Sequence, residues 1–183
     1  EELGMLYQGD LLINATMPDF AAALAKLRPA RIPDRADWIA DGRRNYEQAS
    51  TPRPTDLAIS VGHIVQHLRE TLPRDAVICN GAGAYTGFVH KFYRFRHYGT
   101  QLAPTSGAMG YGFPAALAAK AIHPDRPVIC FAGDGCFLMA SQELATAVMH
   151  DLPVVVVLVD NGSYGSIRSH QERRYPGRVY ATD

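Results

Sequence analysis

Three short apolar runs constrain this chain more than any other feature: DAVICN (75–80), RPVICFA (126–132) and LPVVVVLVD (152–160). None alternates apolar with polar residues, so none suits a strand with one face in water. Between them lie helical patterns. FPAALAAKAI (113–122) carries Pro114 where the first turn of a helix tolerates it, and SQELATAVMHD (141–151) follows the second run. Buried strands separated by helices predict a parallel sheet covered on both faces, a doubly wound α/β domain.

The pattern begins late in the chain. Leu57, Val61, Ile64, Val65, Leu68 and Leu72 recur at helical spacing, and Pro73 closes that predicted helix. Before it, residues 30–54 are polar and rich in arginine and proline, which reads as a linker carrying one short helix around Trp38. Residues 1–29 offer an extended piece and a helix from about Pro18 to Pro29. The expected organisation is therefore 1–29 as the remnant of another domain, 30–54 as linker, and 55–183 as the α/β domain.

Eighteen basic residues balance eighteen acidic ones, so no global field would attract nucleic acid or an acidic membrane. No apolar segment approaches the roughly 18 residues of a membrane helix. The start lacks the basic region of a signal peptide. Three scattered cysteines, Cys79, Cys130 and Cys136, make neither a disulfide framework nor a zinc site. A cytoplasmic location is expected.

In sheets of this kind ligands gather beyond the carboxyl ends of the strands. Asp134, in GDG, lies just past the second run, and Asn161 lies just past the third. One helical crossover joins those strands, so both side chains should emerge on the same edge. Two oxygen ligands there suit a hard divalent cation. From Gly133 to Asn161 there is no lysine or arginine to meet a phosphate. A magnesium ion could supply that charge and clamp a diphosphate against the amides of Gly135 and Cys136.

These residues resemble a known signature. GDG followed by Asn161 is similar to the cofactor motif of thiamine-diphosphate-dependent enzymes. TSGAMGYGFPAALAAKA (105–121), GDGCFLMASQELATA (133–147), DNGSYGSIRSHQERRYPGR (160–178) and the turn GAGAYTG (81–87) resemble the acetolactate synthase-like group, which includes pyruvate oxidases and benzoylformate decarboxylases. The resemblance covers about residues 55–183. It implies Asp134 and Asn161 as side-chain metal ligands, with the carbonyl of Ser163 as a third. It implies backbone contacts to the diphosphate from Gly81, Ala82, Gly83, Gly135 and Cys136. Met109 takes the place of the apolar wedge that bends the cofactor, and the carbonyl of Gly107 would accept from the aminopyrimidine. Tyr164 and Gly165 complete the implied cofactor-binding set.

The same resemblance implies thiamine diphosphate and Mg2+ as cofactors, a 2-keto acid as substrate, and a homodimer or homotetramer when intact. FAD is compatible with the group and is not readable from these residues. No residue matches the family glutamate that activates the aminopyrimidine, which belongs to a separate domain, so no catalytic residue is assigned. The chain reads as part of a longer carboligase or decarboxylase, inactive alone. Where acetolactate synthases carry a tryptophan-bearing segment, SIRSH places Ser166 and His170. Two other readings stay open. One is a non-catalytic cofactor-binding or assembly module. The other is an RNA-binding surface on HKFYRFRHY (90–98), which interleaves basic and aromatic residues.

Overall fold

The structure is a computed structural model that describes residues 3–28 and 33–183. By contacts it divides into two units, Glu1–Gly42 and Arg43–Asp183. The expected boundary between residues 29 and 30 lies outside the described residues.

In the first unit, helix α1 (Met17–Lys26) is set by its ends. The Thr16 hydroxyl accepts from the Asp19 amide at 3.3 Å and donates to the Asp19 carboxylate at 2.6 Å. Pro18 occupies the first turn and Lys26 the last, each where helix electrostatics and sterics favour it. Helix α2 (Ala36–Ala49), whose residues from Arg43 on belong to the second unit, is longer than the short helix expected around Trp38.

The second unit holds the sheet. Its elements run in the order α3 (Val61–Thr71), β1 (Val77–Asn80), α4 (Thr86–Phe92), β2 (Gln101–Leu102), α5 (Gly112–Ile122), β3 (Val128–Gly133), α6 (Asp134–Leu138), a 3-10 turn (Ser141–Glu143), α7 (Leu144–Met149), β4 (Val155–Val159) and α8 (Gly165–Arg174). The four strands are parallel and ordered β2-β1-β3-β4. The three apolar runs supply β1, β3 and β4. β2 was not expected. It is two residues long, too short to carry a period, and it is anchored where the Ile78 amide donates to the Thr100 carbonyl at 2.9 Å.

Alternate residues of β1 and β3 enter opposite layers. Val77, Cys79, Val128, Cys130 and Ala132 pack with Phe113, Ala116 and Leu117 of α5. Ile78, Ile129 and Phe131 pack with Val65 of α3, Val89 and Phe92 of α4, and Tyr85. Each fully buried large side chain among them contributes roughly 1.5–3 kcal/mol. The two thiols in the first layer are held protonated. Burial is the first cause for both, and it pushes Cys79 and Cys130 up to about 12, with the neighbouring sulfurs adding to the shift.

The helix expected from Leu57 starts only at Val61, after Ser60, and Leu57 is exposed. On the far side, β4 ends the described sheet as an edge, with Val155 56% and Leu158 51% exposed. Among the described residues no helix is long and apolar enough to cross a membrane. The aromatic residues of the 90–98 segment are mostly committed inward, while His90, Lys91, Arg96 and His97 are exposed. Phe92 is buried, Tyr93 and Phe95 pack on the second layer, and the Arg94 guanidinium donates to the Ser50 hydroxyl and lies over the Tyr46 ring. Only Tyr98 of its aromatics stands free, which is too little for a base-stacking platform.

Chain order and strand order together locate a crevice. From β1 the chain builds β2 on one side, then returns to build β3 and β4 on the other. The reversal falls between β1 and β3, and ligands of doubly wound sheets bind beyond the strand ends at such a point. Asn80 pairs with Phe131 near that edge, so the turn after β1 and the turn after β3 leave the sheet side by side.

Candidate diphosphate and metal site

β3 ends at Gly133 and Asp134 opens α6, so the carboxylate stands in the first turn of a short helix. It is half-buried, and among the described residues no hydrogen bond or ion pair engages it. Gly133 is paired with Val159 in the β3–β4 ladder, and Asn161 follows Val159 by two residues. Both side chains therefore leave neighbouring strands at one edge.

The turn after β4 is shaped by its own side chains. The Gly162 amide donates to the Asp160 carboxylate at 2.8 Å, and the Ser163 amide donates to the Asn161 side-chain oxygen at 3.2 Å. The Ser163 carbonyl accepts from the Gly165 amide at 2.8 Å, leaving its second lone pair free. A side chain at Gly165 would stand 2.5 Å from the Asn161 amide nitrogen. That glycine is what gives Asn161 its room.

Three separate segments converge on α6. A methyl group on Gly135 would lie 3.6 Å from the end of Met109 and 3.8 Å from the Tyr164 ring. Met109 and Tyr164 thus meet over a glycine, and both remain substantially exposed, at 42% and 60%. Gly81 lies against Cys136, so close that an added side chain would collide with its sulfur. Gly83 sits against the Tyr85 ring, 2.7 Å from where its own Cβ would be. Ala82, between them, is half-buried. Gly107 belongs to the same segment as Met109, at φ +67°, with open space where a side chain would be.

Four residues that the sequence did not single out shape this edge. The Asn80 side chain donates to the Gly81 carbonyl at 2.8 Å, while its own oxygen is buried without a partner. Gly112 lets α5 start directly beneath the β1 turn, since a Cβ there would be 2.7 Å from the Gly81 nitrogen and 2.9 Å from the Asn80 carbonyl carbon. Gly110 adopts φ +81° and donates its amide to the Cys136 sulfur at 3.2 Å. The Tyr85 hydroxyl donates to the same sulfur at 3.5 Å. Burial, followed by that bond, pushes the Tyr85 hydroxyl pKa well up. None of these contacts follows from a spacing rule; each is made by packing.

The residues present fit a diphosphate held through a divalent ion. Among the described residues no group of three or more His, Cys, Asp or Glu side chains could hold a metal. An ion here would rest on one carboxylate, one amide oxygen, a backbone carbonyl and the oxygens of its ligand, as magnesium on phosphate commonly does. Gly83 is exposed and Gly135 half-buried at this edge, whereas Gly81 is buried against Cys136 and Tyr85. A groove of about 1100 Å³ lined by Pro52, Arg53, Phe88 and Lys91 shares no residue with this edge. The strand tips form an open ledge.

Residues 81–183, more than half of the chain, match the family model described as thiamine pyrophosphate enzyme, C-terminal TPP binding domain. An acetolactate synthase large subunit of Corynebacterium glutamicum is 32% identical over 99% of this chain and 30% of its own length. The acetolactate synthase isozyme 1 large subunit of Escherichia coli is 31% identical over 98% of this chain and 32% of its own length. The chain thus spans about a third of the curated relatives it matches. Among solved structures, a thiamine diphosphate-dependent 4-hydroxybenzoylformate decarboxylase of Rhodococcus jostii matches with TM-score 0.62 and 28% identity, over 72% of this chain and 26% of that one. The parallel sheet, the glycine-lined ledge and these matches have one conclusion: the chain belongs to the thiamine pyrophosphate enzymes, and its residues 81–183 are their C-terminal cofactor-binding domain.

Proposed function

We propose that the chain is the diphosphate- and magnesium-binding part of a 2-keto acid carboligase or decarboxylase of acetolactate synthase-like kind. The observation that carries this is the exit of Asp134 and Asn161 from adjacent, in-register strands beside the point where the sheet reverses direction. In this reading Asp134, Asn161 and the Ser163 carbonyl hold Mg2+. The backbone at Gly81, Ala82, Gly83, Gly135 and Cys136 receives the diphosphate. Met109 supports the cofactor's bend, the Gly107 carbonyl accepts from its aminopyrimidine, and Tyr164 and Gly165 border it. Thiamine diphosphate held there would supply the carbon nucleophile that chemistry on a 2-keto acid requires.

What this chain contributes is placement and charge. The Asp134 carboxylate, without a partner among the described residues, is free to neutralise a cation rather than a lysine. The exposed Met109 and Tyr164 favour a covering surface, and a second subunit of a homodimer or homotetramer is the natural one. A cytoplasmic location accompanies the proposal.

The test is a calorimetric titration of the full-length protein with thiamine diphosphate in magnesium buffer. Binding is expected, and Asp134→Ala should weaken it by at least about tenfold, the scale of a lost charge-bearing metal ligand. Wild-type protein that takes up no thiamine diphosphate, or an Asp134→Ala variant that binds as tightly as wild type, would refute the proposal.

A further inference from the structure

We infer that Tyr85 and Cys136 form a positioning bridge that sets the diphosphate turn and the Met109 segment relative to each other; this rests on the cofactor reading above. Cys136 lies in α6, yet its sulfur touches two other segments. It accepts from the Tyr85 hydroxyl at 3.5 Å, in the turn after β1, and from the Gly110 amide at 3.2 Å, next to Met109. Both side chains are buried, Tyr85 at 6% and Cys136 at 4% exposure.

Tyr85 is itself wedged between the two turns. Its ring lies 2.7 Å from the Cβ position of Gly83 and 3.0 Å from that of Gly133, and its hydroxyl lies 2.9 Å from that of Gly81. Glycine at those three places is what admits the ring. One phenol therefore spans the ends of β1 and β3, and one sulfur joins that phenol to the residue after Met109.

The chemistry suits a strut. A thiol is a weak acceptor that rarely draws two donors unless packing presents them. Gly110 takes φ +81°, where a side chain would be strained, and the sulfur bond to its amide is what fixes the orientation of that permissive peptide. Moving the sulfur would release Gly110, and Met109 with it. Tyr85 acts on the cofactor only through these neighbours.

The experiment compares Tyr85→Phe, Cys136→Ala, their double variant and Cys136→Ser in the full-length protein. One readout is the Kd for thiamine diphosphate with magnesium, and a second is hydrogen exchange of the Gly110 amide without cofactor. Each of the first two variants should weaken binding by about five- to tenfold, and the double variant no further than the worse single, because coupled residues are not additive. Gly110 exchange should rise by about tenfold in Cys136→Ala and severalfold in Tyr85→Phe, as a local bond is released. Cys136→Ser, which keeps an acceptor, should recover most of both losses. Losses that add in the double variant, or Gly110 exchange unmoved by both single variants, would overturn the bridge. Wild-type protein that fails to bind the cofactor would sink the cofactor reading alone, since Gly110 exchange decides the bridge separately.

Discussion

At the scale of single residues, glycine positions separate folding from binding. A Cβ at Gly112 would press on backbone atoms of Asn80 and Gly81, which cannot swing away. Gly112→Ala should therefore lower stability by about 1–3 kcal/mol, the usual cost of overpacking, measured by denaturant melts. Gly135 is the opposite case. Its nearest neighbours, Met109 and Tyr164, would meet a methyl at ordinary contact distance, and alanine suits a helix better than glycine. Gly135→Ala should keep or slightly raise the melting temperature while weakening thiamine diphosphate binding, because the methyl occupies the ledge. The positions of Asp134 and Asn161 past neighbouring strand ends were legible in the sequence because strand ends and a βαβ unit specify an edge. Tyr85, Asn80 and Gly110 were not, because their roles depend on which turns meet across the sheet.

At the scale of elements, β3 is the centre of the domain. It pairs on both sides and contributes to both layers, with Phe131 fully buried in the second. Phe131→Ala should cost about 3–5 kcal/mol, read from the shift of a urea midpoint with unchanged slope. The apolar runs of β1 and β3 announced strands buried throughout, which need no alternation, whereas the third run has the same pattern and forms the partly exposed edge strand β4. The ends of helices were less legible. The periodic residue Leu57 lies outside α3, and the stretch expected as one helix from Ser141 begins with a 3-10 turn before α7. Periodicity reports which residues face the core, whereas the first turn is decided by local hydrogen bonds.

At the scale of the whole molecule, the buried thiols predict an alkaline limit. Unfolded, Cys79 and Cys130 have the ordinary thiol value of 9.0, and burial in the fold pushes both up to about 12. Raised acid groups favour the fold fully below the unfolded value, and that contribution is lost as pH climbs toward the folded one. Stability should thus be flat up to about pH 9 and then fall, with each thiol adding about 1.4 kcal/mol per pH unit to the slope. Cys79→Ala should make the decline above pH 9 shallower in melts taken across that range. From sequence alone came the strands, the parallel sheet they require, and the placing of Asp134 and Asn161 just past neighbouring strand ends, since all of these are fixed by local pattern and chain order. The two-residue edge strand, the close passage of α5 beneath the β1 turn and the phenol–sulfur bridge came only with the tertiary structure. Those features depend on how tightly distant segments approach, and close packing, not any one-dimensional pattern, sets that distance.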